Sequence, residues 1–133
     1  MTAKAIIALV LLGGALAFVV RGGTQIPDAV QPIAWNAEAC AHCHMLIGDP
    51  AFAAQIITED GTVLSFDDPG CAARYIAEVH PKIRRAWFHA GKGDAWIPIA
   101  DVAFVPVPHS PMGSGVVAVR RGTPGALTLG DLR

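Results

Sequence analysis

The chain has 133 residues, with ten Lys and Arg against eleven Asp and Glu and a net charge of −1. A near-neutral chain with no basic stripe offers no electrostatic footprint to a nucleic acid, so no nucleic-acid partner is expected. The length allows one domain of ordinary size or two very small packed subdomains, and it leaves no room for a large catalytic cleft.

Residues 5–20, AIIALVLLGGALAFVV, run uncharged between Lys4 and Arg21. As a helix at about 1.5 Å per residue they span roughly 24 Å, against about 30 Å of bilayer hydrocarbon. Ala15-Leu16-Ala17 has the pattern of a signal-peptidase site, while Phe18-Val19-Val20 continues the apolar run and Arg21 can snorkel to headgroups. Residues 1–21 are therefore expected to be a signal peptide or a single transmembrane anchor. Either way the remainder is exported to the periplasmic side of the inner membrane, held there or released. No lipobox cysteine closes the run. In an oxidising compartment the three cysteines, Cys40, Cys43 and Cys71, cannot all pair within one chain, so at least one stays free, pairs with another molecule or binds metal.

Residues 22–32 mix Gly, Pro and polar residues without a period, which predicts a linker, and the domain is expected over 33–133. The cluster CAHCHM at 40–45 comes next. Phe52 to Thr58 and Thr62 to Phe66 are β-rich runs around Glu59-Asp60-Gly61, a hairpin signal. Asp67-Asp68-Pro69 supplies a helix start, Ala72, Ile76 and Val79 mark an apolar face, and His80-Pro81 stops the helix, so Cys71 falls in its first turn. Arg84 to His89 is a further strand, Gly91-Lys92-Gly93-Asp94 a turn, and Val102 to Val107 a strand running into PHSPMGSG. Val116 to Val119 and Ala126 to Leu129 are read as two more short strands. The expected fold class is α+β, as two small related hairpin-helix units of ββαβ type. The second is truncated, and both lie behind the N-terminal apolar helix. A short echo, HCHM with LSFDD and then HSPM with LTLGD, would put Met45 and Met112 at equivalent loop positions.

Two sulfurs three residues apart on a turn, Cys40 and Cys43, can grip a soft metal ion, hold zinc, or close a disulfide or redox pair, and spacing alone leaves these open. Met45 shifts the balance, because a thioether suits the soft ion Cu(I) and is a poor ligand for zinc. Met112, set between Pro111 and Gly113 in a stretch with little apolar pattern, could present a second thioether. Cys71 at a helix N-terminus would have its thiolate stabilised by unpaired N–H groups. His42, His44 and His109 are candidate ligands, whereas His80 and His89 read as structural. No hydrolytic zinc motif, Ser/His/Asp order or phosphate loop is present, so the chain is not expected to be an enzyme. Two rival functions use the same cysteines. One is a thiol-disulfide redox protein built on Cys40 and Cys43. The other is a structural zinc-binding subunit of a membrane complex with Cys40, Cys43, Cys71 and one histidine.

Taken in order, several stretches resemble the nitrous oxide reductase accessory protein NosL family. They are Cys43-His44-Met45, where that family has Cys-Gly-Met; the hairpin with Gln55; Phe66-Asp67-Asp68 leading into the helix; Asp94-Ala95-Trp96-Ile97; and Pro111-Met112-Gly113. Together they cover roughly residues 33 to 120. The resemblance implies an exported copper chaperone that holds Cu(I) and delivers it to a client cuproenzyme, nitrous oxide reductase or another copper protein. Carried over by position, it makes Cys43, Met45 and Met112 the ligands, with Cys40 a fourth and a histidine, His44 or His109, able to complete the site. The chain departs from the family in lacking a lipobox cysteine, in carrying His44 in place of Gly, and in its truncated second unit.

Overall fold

The computed structural model describes residues 25–132. The segment expected to be a signal peptide or anchor lies outside them. Among the described residues no helix is long and apolar enough to cross a membrane.

The fold is α+β. A four-stranded antiparallel sheet has the order β2-β1-β3-β4, formed by β1 Ala54–Thr58, β2 Val63–Phe66, β3 Ile83–His89 and β4 Trp96–Pro98. A second sheet is the hairpin of β5 Val102–Pro106 and β6 Val116–Arg120. The helix α1, Pro69–Val79, follows β2. The chain thus runs β1-β2-α1-β3 as a ββαβ unit, while β5 and β6 are followed only by a 3-10 turn at Leu129–Leu132.

Local chemistry accounts for these boundaries. β1 and β2 pair with Ile56 opposite Leu64, and the turn between them places Gly61 at φ +88, which costs glycine nothing. β1 is one of two inner strands, its residues Ala54 to Ile57 are all buried, and Gln55 must satisfy its amide internally. Its Oε1 accepts from the Gln31 N–H at 2.7 Å, and its Nε2 donates to the Gln31 carbonyl and the Ser65 hydroxyl, both at 3.2 Å. The end of the linker is therefore fastened to the sheet. Arg84 adds an ion pair to Asp28 at 2.9 Å on the exposed side.

Asp68 caps α1 through a hydrogen bond from the Gly70 N–H at 2.8 Å, with Pro69 in the first turn. The helix ends at His80, left-handed at φ +53, whose N–H reaches the Ile76 carbonyl before Pro81 prevents continuation. Phe66, Phe88 and Phe104 are completely buried, and Phe88 meets Phe104 edge to face at 5.1 Å, which ties the two sheets into one core.

Two elements differ from expectation. The stretch Ala126 to Leu129 forms no strand: Leu127 makes one bridge to Phe104, and the chain then turns. The cause is local, because the Asp131 carboxylate accepts from both the Thr128 N–H and its hydroxyl at 2.7 Å and bends the chain into the 3-10 turn. Trp96–Pro98, by contrast, pairs with β3 as an edge strand, a place where proline is tolerated.

Candidate metal centre

The Cys40 to Met45 segment folds into a closed turn. The His44 N–H reaches the Cys40 carbonyl at 3.0 Å, and the Cys40 N–H reaches the Met45 carbonyl at 2.8 Å. The bridge between Ala39 and Leu46 clamps its base, and the Ala41 N–H donates to the Ser65 carbonyl at 2.9 Å. That last bond docks the turn onto the end of β2, two residues before Asp67 and six before Cys71. His44 sits at φ +63, a left-handed conformation that glycine adopts without strain.

This docking brings four side chains together. One ligand atom from each of Cys40, Cys43, Asp67 and Cys71 lies within 4.8 Å of every other, a cluster that could hold a metal ion. The Cys43 sulfur is 3.5 and 3.6 Å from the two Asp67 carboxylate oxygens. Cys40, Asp67 and Cys71 are each at most 2% exposed, whereas Cys43 is half-buried and forms the mouth. All three thiols are free.

The surroundings shift the four groups in different directions. The Cys71 thiol donates to Cys40, and the backbone N–H groups of Cys43, Asp67 and His42 also point at the Cys40 sulfur, so Cys40 is held well below the ordinary thiol range despite its burial. Cys71 moves strongly upward, because it is the donor to Cys40 and is itself buried. Burial, followed by the neighbouring Cys40 and Asp67 charges, raises Cys43, which one backbone bond from Met45 only partly offsets. Burial and the adjacent Cys40 push Asp67 up to about 6. Three thiols and a carboxyl converge here, and their charged forms oppose one another unless a cation lies among them.

Of the residues expected at the site, Cys40 and Cys43 are in the cluster. Met45 is 59% exposed on the rim beside exposed His44. Met112 and His109 lie exposed on the loop between β5 and β6. That loop rests on the start of α1, where the Met112 N–H donates to Asp68 Oδ2 at 3.0 Å. Gly70 allows the contact, since a Cβ there would sit 2.6 Å from the Ser114 Cβ. The second half therefore folds over the helix turn that carries Cys71. His44 and His109 are outside the cluster, and His42 turns instead to Glu78, with Nε2 at 3.2 Å from its carboxylate.

Of the cluster members, Asp67 was not among the expected ligands, and Cys71 was expected as a ligand only in the structural zinc reading. The signal for them lay in Phe66-Asp67-Asp68-Pro69-Gly70-Cys71: two aspartates follow a buried strand, only one can cap the helix, and the other is left facing a cysteine in the first turn.

No protein-family model, no curated protein and no solved structure matches the chain.

Proposed function

We propose that the chain is an accessory metal carrier that holds one Cu(I) ion on the periplasmic side of the membrane and delivers it to a client cuproenzyme during metal-centre assembly. The observation that carries the reading is the convergence of three cysteine sulfurs and Asp67 within 4.8 Å at a near-surface mouth. Thiolates are soft donors and favour Cu(I), and the Cys40 thiol is held well below its ordinary range. Two thioethers, Met45 and Met112, stand exposed rather than packed. Exposed methionines near a thiol cluster contribute little to a core but are suited to receiving and releasing a soft ion. In this reading Cys40, Cys43 and Cys71 hold the ion, and Met45 and Met112 serve it from the rim. The ordered resemblance to NosL proteins supports the same reading and makes nitrous oxide reductase one candidate client. Membrane attachment through residues 1–21 belongs to the same proposal.

One observation favours a second reading. Asp67 supplies a hard carboxylate oxygen, and three cysteines with a carboxylate form a four-ligand set of the kind zinc accepts. The test is an anaerobic competition titration of the full chain with Cu(I) and Zn(II), each against a chelator of known affinity. A carrier of Cu(I) binds one equivalent far more tightly than Zn(II). Tighter zinc binding, with unfolding on chelation, supports the structural zinc reading instead.

A further inference from the structure

The β5–β6 hairpin has two faces with different surroundings. One face of this hairpin, through Phe104, Val116 and Ala118, is buried in the core. The other face carries Val105, Val107, Val117 and Val119, with Val105 directly opposite Val117, and all four are only half-buried. With Phe52 they line a groove of about 730 Å³ between the two sheets, which shares no residue with the metal cluster. That volume and its apolar lining are those of a small-molecule pocket, which ordinarily measures roughly 300–1,000 Å³.

The polar groups of the groove narrow its occupant. Its two charged lining residues, Lys92 and Arg120, are both cations, and among the described residues neither is in an ion pair. The bridge between Ala90 and Ala118 brings the turn that carries Lys92 against the end of β6, where Arg120 stands, and both cations are exposed. Gly91 makes this close approach feasible, because a Cβ there would lie 2.3 Å from a Val117 methyl. The main chain offers little to a guest. β5 bonds to β6 on one edge and to Leu127 on the other, and β6 gives its outer Ala118 carbonyl to the Gly91 N–H at 3.1 Å. A peptide adding itself as a strand would find each edge interrupted at its middle residue, Phe104 or Ala118.

We infer that this groove binds a free single-chain amphiphile with an anionic head, its aliphatic chain against Val105, Val107, Val117 and Val119 and its carboxylate between Lys92 and Arg120. The valines supply apolar area without direction, and the paired cations fix which end of the ligand lies where. The inference is independent of the metal reading.

The experiment uses the full chain in zwitterionic phosphatidylcholine nanodiscs, with dodecanoate as the probe below its micelle concentration and valine methyl NMR as the readout. Saturable shifts are expected at Val105, Val107, Val117 and Val119. Dodecyltrimethylammonium, with the same tail and the opposite charge, is expected to bind at least about tenfold more weakly. The double variant Lys92→Glu with Arg120→Glu should lose about tenfold for dodecanoate, and Lys92→Gln alone serves the same end if the double variant does not fold. Equal affinity for the two head groups, shifts confined to other methyls, or an unchanged affinity in the folded charge variant overturns the proposal. A response to anionic-lipid nanodiscs without any response to dodecanoate also overturns it, and would mark the face as a membrane contact.

Discussion

Met112 and Asp68, forty-four residues apart, are joined by a hydrogen bond of 3.0 Å from the Met112 N–H to one carboxylate oxygen, while the other oxygen caps α1 through Gly70. One fully buried aspartate therefore starts the helix that carries Cys71 and anchors the loop that carries Met112. This one side chain fixes the Met112 loop on the first turn of α1.

Asp68→Asn tests this directly. An asparagine can keep the cap through its one carbonyl oxygen, but its NH2 then faces the Met112 N–H and the bond is lost. The expected cost is about 0.5–1.5 kcal/mol, the net worth of one hydrogen bond at a part-buried site. Amide hydrogen exchange at Met112 should accelerate well beyond that in β1.

Asp67 makes the apo protein sensitive to pH. Its folded pKa is pushed up to about 6 by burial and by Cys40, above the unfolded value of about 4. The folded state then holds a proton that the unfolded state releases between these values, so this contribution to stability is full below pH 4 and is lost as pH rises through 6. Relative to Asp67→Asn, the wild-type apo protein should lose on the order of 2 kcal/mol between pH 4 and 6. Denaturant unfolding of both proteins at the two pH values measures it, and parallel curves would show that the carboxyl is not held neutral.

How far the sequence reveals this architecture depends on the range of the interaction. The start and stop of α1 were legible because Asp68-Pro69 and His80-Pro81 act through the backbone within one turn. The β1–β2 hairpin was legible for the same reason, since Gly61 alone supplies its left-handed turn. Trp96–Pro98 was not, because a three-residue strand bounded by a turn and a 3-10 helix owes its existence to β3 beside it. Ala126 to Leu129 was misread because its alternation resembles a strand, while the Asp131 carboxylate decides the local geometry. At the site, Cys40 and Cys43 stood out by spacing. Cys71 was legible as a cysteine in the first turn of a helix, but its meeting with Cys40 and Cys43 depends on the docking of the Cys40 turn onto β2, which is a product of the fold. Asp67 was hidden behind its neighbour, whose capping role explained the aspartate pair too readily.

Met112→Leu separates ligand from packing, since it keeps apolar volume and deletes the sulfur. The side chain is 37% exposed, so stability should change little. Cu(I) affinity is expected to fall by about tenfold, equivalent to about 1.4 kcal/mol, in an anaerobic chelator competition. An unchanged affinity would remove Met112 from copper handling and confine the site to the first half.

The most direct measurement of the central claim is X-ray absorption at the copper edge of the Cu(I)-loaded full chain under anaerobic conditions. Cys40, Cys43 and Cys71 as holders of the ion predict a first shell of sulfur alone, with the signal altered in Cys71→Ser. A shell containing imidazole nitrogen or carboxylate oxygen, or a spectrum unchanged in Cys71→Ser, would contradict the assignment.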